Sequence, residues 1–502
     1  MYTPPKYPML LQVNTRVWLT ELSSQLKRRA TLDDIPDRAI DEFAANGFDW
    51  IWLLSVWRTG PAAQAISRTN PTWRRDFEAT LSDLKEVDIA GSGFAIQSYI
   101  VQSDLGGDAA LGRLRKRMQQ RGLKLMLDFV PNHLAPDHPW VNTHPEYFIQ
   151  RTEEDLAREP QNHCHVQSQS GPLALAYGRD PFFDGWPDTL QLNYGNQELQ
   201  RAMLGELKRI ANQCDGVRCD MAMLLLPDVF ERTWGIRIEP FWPTAMDGIR
   251  ETHPAFTFLG EVYWNLEWTM QQQGFDFTYD KTLYDRLRAH HAGSVREHLT
   301  AEMDYQDKLT RFLENHDEHR AAAAFDNDVH KAAAIITFLS PGMKFFHQGQ
   351  IEGRRHRISP HLVRGPVEEV DKDLKEFYGR LLCVLDNNVV RNGIWRQLEC
   401  VSAWEGNQSY AGFVGFEWSL LDNARLIIIV NYSPLQSQCS LKLPGIDLSQ
   451  RQWQLIDLMN DITYVRDGNE LKSDGLFLDV QPWQYHVFRL ETYIHKTSAP
   501  GN

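Results

Sequence analysis

Short apolar runs alternate with amphipathic stretches from residue 9 to about residue 390. The runs "MLLQVNTRVWL", "FDWIWLLSVW", "LKLMLDFV", "DGVRCDMA", "TFLGEVYW", "FDFTYD", "RFLENHD" and "MKFFHQGQ" predict strands. Between them, "IPDRAIDEFAANG", "GDAALGRLRKRMQQRG", "NQELQRAMLGELKRIANQ" and "VHKAAAIITFLSPG" predict helices, several closed by Gly as helix C-termini often are. Repeated strand–helix units build a parallel sheet, and eight of them predict an α/β fold closed as a (β/α)8 barrel.

Two stretches break the rhythm. Residues 134–187 follow the third strand without a clear period and carry Pro, His, Gly and Trp, which predicts a long loop or a small inserted domain between barrel parts 1–133 and 188–392. Thr59 to Gly93, after the second strand, is the other. From about residue 393 the segments "SYAGFVGFEW", "ARLIIIVNYS", "WQLIDLM" and "WQYHVFRLE", separated by turn residues, predict a C-terminal antiparallel β domain, a sandwich over 393–502. The final "HKTSAPGN" reads as a frayed tail.

Composition narrows the partners. A formal charge of −14 over 502 residues argues against nucleic acid, which is bound through basic surface, and a neutral substrate fits better. The start lacks the charged and apolar regions of a secretory signal, and the longest late apolar run, "LIIIVNY", is far too short to cross a bilayer. Six scattered cysteines suit reduced thiols better than a disulfide framework. The expectation is a cytoplasmic protein with no membrane partner.

Against this ordinary background, "CDGVRCDMAM" places Arg218 and Asp220 inside a run that otherwise reads as a buried strand. Alternation puts both on one face, with Val217 and Cys219 on the other. A neighbouring guanidinium keeps a carboxylate ionised, as a nucleophile requires, although a structural ion pair has the same sequence. Three further runs end in polar residues: "LDFVPNH" in Asp128, Asn132 and His133, "LGEVYW" in Glu261, and "LENHDEH" in Asn315, His316 and Asp317. Each alone could cap a helix or form a turn. Together they match the way barrel enzymes gather catalytic groups at strand C-termini.

"DFVPNH", "DGVRCDMA", "GEVYW" and "ENHD", in this order and spacing, resemble the four short conserved regions of the α-amylase family, glycoside hydrolase family thirteen. "LSPGMKFFHQGQ" is similar to that family's eighth strand. The resemblance implies that Asp220 is the nucleophile forming a glycosyl-enzyme, Glu261 the general acid and base, and Asp317 the third carboxylate, which holds sugar hydroxyls. It also implies that Arg218 partners Asp220, that His133 and His316 bind the reacting sugar, and that Asp128 braces Arg218. A retaining glycosidase needs its two working carboxyls roughly 5 to 5.5 Å apart, one ionised and one protonated. Leu259, Val262, Tyr263 and Trp264 around Glu261 suggest an apolar setting that raises its pKa.

The departures are specific. Phe94 stands where the family has a stacking tyrosine, and "MAMLLLPD" stands where many members carry Lys-His. Asn132 matches a calcium ligand of the family, so calcium is admitted there, but the partner His and acidic ligands in 134–187 are missing and no cofactor is required. "NHCHV" reads as a solvated loop rather than a zinc site, and the basic run "GRRHR" after the eighth strand as a solvated face unless it binds phosphate. Trp140, Trp186, Trp234 and Trp264 are placed near the barrel mouth. The expected activity is retaining hydrolysis of α-glucosidic bonds in oligosaccharides or α-glucans. Glycosyl transfer or isomerisation by the same triad, and a sugar-binding barrel without chemistry, are the alternatives.

Overall fold

The computed structural model describes residues 4–169, 171–420 and 424–493. Eight parallel strands close a barrel: β1 (Met9–Asn14), β2 (Trp50–Leu54), β3 (Lys124–Phe129), β4 (Gly216–Cys219), β5 (Thr257–Gly260), β6 (Phe277–Tyr279), β7 (Leu309–Arg311) and β8 (Met343–His347). Each pairs with its neighbour in the chain, and β8 closes on β1. The strands read as apolar runs because helices cover the ring outside and side chains fill it inside. Every residue of β2 is buried.

Each of the eight predicted runs supplies one strand, with two corrections. "MLLQVNTRVWL" leaves the sheet at Asn14, whose side chain accepts from Val17 N (3.3 Å) and starts the helix Thr15–Leu26. "RFLENHD" contributes only Arg311; the rest is loop, folded back where Asn315 Oδ1 accepts from the amides of Asp317 and Glu318, 2.9 Å each. The predicted helices run Asp37–Ala45, Gly107–Gln119, Gln197–Ala211 and Asn327–Leu339. The last packs on the barrel through Phe338, stacked on Phe346 at 4.0 Å.

Residues 59–93, aperiodic in sequence, form two helices, Pro61–Thr69 and Pro71–Thr80. Proline opens each, where its missing N–H has no partner to lose, and Asn70 caps the second by accepting from Thr72 N and Trp73 N. Residues 134–187 hold short helices and a hairpin, His163–Ser168 against Gly171–Ala176. "NHCHV" therefore lies largely in a strand rather than a loop. A two-residue ribbon, His133–Leu134 against Leu190–Gln191, ties this segment to the barrel.

Beyond residue 393 lie a six-stranded and a three-stranded antiparallel sheet. Phe413, Ile427 and Phe488 of the first share a core with Cys439, Leu441 and Leu478 of the second. Trp418 Nε1 donates to Leu339 O and Tyr432 OH to Leu287 O, 2.7 Å each, which seats these sheets on barrel helices. "HKTSAPGN" lies outside the described residues. Among the described residues no helix is long and apolar enough to cross a membrane.

Candidate active site

The register of three strands assembles the charges. Arg218 on β4 pairs with Asp128 on β3 and with Leu259 on β5. Just past the strand ends, Asp220 N donates to Phe129 O (2.8 Å) and Glu261 N to Cys219 O (3.0 Å), so sheet hydrogen bonding carries both carboxylates to the barrel mouth. Val217 and Cys219 face away and are fully buried.

Arg218 is the hub. Its Nη1 lies 2.6 Å from Asp220 Oδ1 and 3.8 Å from Asp128 Oδ1, and its Nη2 lies 2.6 Å from Glu261 Oε2. The guanidinium is flanked by the rings of Trp52 and Phe94, 5.3 and 5.2 Å from Cζ. Glu261 Oε2 also accepts from Met221 N (2.7 Å), and Oε1 from Tyr263 OH (2.8 Å). Met221 adopts a left-handed conformation at φ 42°, a strained state for a non-glycine residue, which aims its amide at Glu261.

The apolar setting expected for Glu261 is thus corrected: its neighbours are a guanidinium, an amide and a phenol. Burial still pushes the Glu261 carboxyl up, against the pull of Arg218. The same balance raises Asp220, and it lifts Asp128 up to about 7. One guanidinium does not offset the burial of three carboxylates, so all three lie above the ordinary carboxylate range.

Asp317 stands at the rim with 45% of its side chain exposed, its Oδ2 3.1 Å from His316 Nε2. Gln12 Nε2 lies 2.9 Å from His316 Nδ1. An amide NH2 only donates, so Nδ1 accepts and Nε2 carries the proton. Phe94 stacks on His316 at 5.1 Å and 28°. His133 packs 5.1 Å from Trp186. Burial lowers both histidines to about 3, which keeps them neutral at ordinary pH.

Asn132 does not suit calcium. It is fully buried, and its amide pairs reciprocally with Gln191: Nδ2 donates to Gln191 Oε1 (3.1 Å) and Oδ1 accepts from Gln191 Nε2 (3.0 Å). Among the described residues no group of three His, Cys, Asp or Glu is placed to hold a metal.

A cavity of about 410 Å³ joins Asp220, Glu261, Asp317, His133 and Phe94, while Arg218 and His316 lie buried against these groups. It also takes in Trp73, Asp188, Tyr263 and His361, which sequence reasoning missed. Tyr263 had a signal, since it lies two residues beyond Glu261 and shares its face in an extended run. Gln12 and Asp188 had none. Trp186 lines the cavity, whereas Trp140 and Trp234 do not; Trp140 packs on Tyr147, and Arg179 lies over the ring of Trp234. The basic run divides: Arg354 meets Glu21, Arg355 N and His356 meet Glu368, and Arg357 Nη1 alone of these approaches the site, 3.4 Å from Asp317 O.

A model of the α-amylase catalytic domain matches residues 47–397. The chain is 26% identical over 286 residues to α-amylase MalA of Haloarcula japonica, a match covering 55% of this chain and 39% of that protein. It is 31% identical over 134 residues to the α-1,4-glucan:maltose-1-phosphate maltosyltransferase of Pseudomonas aeruginosa, covering 26% and 18%. The chain therefore spans well under two thirds of these relatives. The maltogenic α-amylase AmyB of Thermotoga neapolitana shares the fold, with a TM-score of 0.69 at 18% identity over 97% of this chain and 99% of that one. With the domain model matching residues 47–397, a span that contains all four strand-end motifs, the chain belongs to the α-amylase family.

Proposed function

We propose that the protein is a retaining glycosidase acting on α-glucosidic bonds of oligosaccharides or α-glucans. The observation that carries this reading is the single guanidinium of Arg218, which holds Asp220 and Glu261 at 2.6 Å each on the floor of one cavity. Asp220, charge-paired, attacks the anomeric carbon; Glu261 protonates the departing oxygen and then deprotonates water. Both Arg218 and Met221 N occupy Glu261 Oε2, so proton exchange runs through Oε1 beside Tyr263. Asp317, His133 and His316 hold the hydroxyls of the reacting sugar, Phe94 covers its apolar face, and Asp128 braces Arg218.

Transfer to a second sugar is the alternative outcome of the same intermediate. It is favoured by Phe182 and Phe183, 60% and 72% exposed, with Phe182 against Trp264 at 4.9 Å three residues beyond Glu261. This is an aromatic shelf on the leaving-group side that an acceptor sugar could cover. A cytoplasmic setting is part of the proposal and is in keeping with six unpaired thiols. Chromatography of products from maltooligosaccharides, glycogen, sucrose and trehalose tests it: shortened products alone mean hydrolysis, lengthened or rearranged ones mean transfer, and no turnover of any α-glucoside overturns the reading.

A further inference from the structure

We propose that Trp73 and His361 form an end wall that admits only a short non-reducing segment, so that the enzyme works inward from the non-reducing end of α-glucans. This rests on the glycosidase reading above. In the eight-stranded ring β1 lies opposite β5. Glu261, at the end of β5, faces the leaving-group oxygen, so the departing saccharide lies on that side and the non-reducing remainder points across the mouth towards β1. The segments that follow β2 and β8, which flank β1, supply Trp73 and His361 to the same cavity.

The wall is built in advance. The two rings lie 4.6 Å apart, with Phe77 5.6 Å from His361. Ala90 N donates to His361 O (2.8 Å), Val363 N to Asp88 O (2.9 Å), and Arg364 Nη2 to Asp88 Oδ2 (2.8 Å), which ties the loop after β8 to the segment after β2. Buried Phe77, Leu81, Ile89 and Leu362 form a common core beneath both. Opening this end would expose that core, whereas the far end presents the exposed Phe182 and Phe183. The wall also carries polarity. Ser67 Oγ donates to Ala63 O (2.8 Å), so it accepts from His361 Nδ1 (2.8 Å) and leaves Nε2 as a hydrogen-bond acceptor on a ring that lines the cavity. A terminal sugar hydroxyl is a matching donor.

The test compares maltoheptaose with maltoheptaose carrying a 4,6-O-benzylidene block on its non-reducing glucose, both labelled at the reducing end. The wild-type enzyme is expected to release products of one short length from the free sugar and to process the blocked one roughly tenfold more slowly or worse, as a closed pocket treats misfitting carbon. Trp73→Ala, alone and with His361→Ala, should narrow that ratio and broaden the product lengths, whereas Trp73→Phe should preserve both. Equal wild-type rates on the two sugars overturn the wall, and this arm needs no variant to fold. Failure to turn over either maltoheptaose overturns the α-glucan substrate and the wall with it, and failure on every α-glucoside overturns the glycosidase reading itself.

Discussion

Arg218 Nη1 and Asp220 Oδ1 lie 2.6 Å apart with both side chains buried, and the second arm of the same guanidinium reaches Glu261. Lysine has one point charge and cannot hold two carboxylates in a fixed fork. Arg218→Lys is therefore expected to lower kcat by about 10² to 10³, the cost of losing one preorganised electrostatic contact. Arg218 lowers the pKa of both Asp220 and Glu261 against burial, so the carboxyl it abandons should titrate higher. At least one limb of the pH–rate profile should move to higher pH, and an unmoved profile would contradict the hub.

Asp220 and Glu261 predict opposite limbs. Asp220 must be ionised, so activity rises as pH climbs through its raised value, and Asp220→Ala should lose several orders of magnitude in turnover while the melting curve stays cooperative. Glu261 must be protonated, so activity falls as pH passes its own raised value. In Glu261→Gln that alkaline limb should vanish, with activated aryl glycosides losing least. Equal loss for good and poor leaving groups would remove Glu261 from the role.

Stereochemistry is an independent check. Attack by Asp220 followed by attack of water inverts the anomeric carbon twice, so the first sugar released should be the α anomer. Proton NMR during the first minutes distinguishes it from the β anomer, whose appearance would require a water-first, inverting pair.

The barrel was legible because a buried strand needs an apolar run of its own, and each of the eight runs is bounded by turn residues or helical periods. The charged strand ends were legible for the same reason: Asp220 and Glu261 are the polar residues that end apolar runs. What stayed hidden depends on long-range packing. Gln12 lies in the first strand and fixes the tautomer of His316, 304 positions away. Trp73 and His361 meet because two aperiodic segments, joined through Ala90 and His361, fold together beyond the strands. The Met221 turn, whose amide holds Glu261, has no sequence mark, since left-handed backbone is usually marked by glycine.

The amide pair of Asn132 and Gln191 occupies the place expected of a calcium ligand. Dialysis against EDTA should leave both activity and melting temperature unchanged. Gln191→Ala should destabilise the fold instead, because it strands the buried Asn132 amide at about 1–3 kcal/mol. A fall in melting temperature on chelation, reversed by calcium, would defeat this reading.

Asp188 lines the cavity at 3% exposure, and its buried Oδ2 has no hydrogen-bond partner. Burial pushes its pKa up to about 7, against roughly 3.9 for a solvated aspartate. A raised value in the folded state means that the proton stabilises the fold below about pH 4 and that this contribution is lost as pH rises to about 7. Above that the chain buries a charge. Asparagine has the same shape and no charge to bury. Asp188→Asn should thus melt close to wild type near pH 4 and above it at pH 8, by up to about 1.4 kcal/mol for each pH unit crossed. The same change removes an anionic acceptor, so KM for short oligosaccharides should rise about tenfold or more while kcat changes little, as when ground-state and transition-state binding are lost alike. A stability difference that does not vary with pH would show that Asp188 holds no displaced proton, and an unchanged KM would remove it from the substrate.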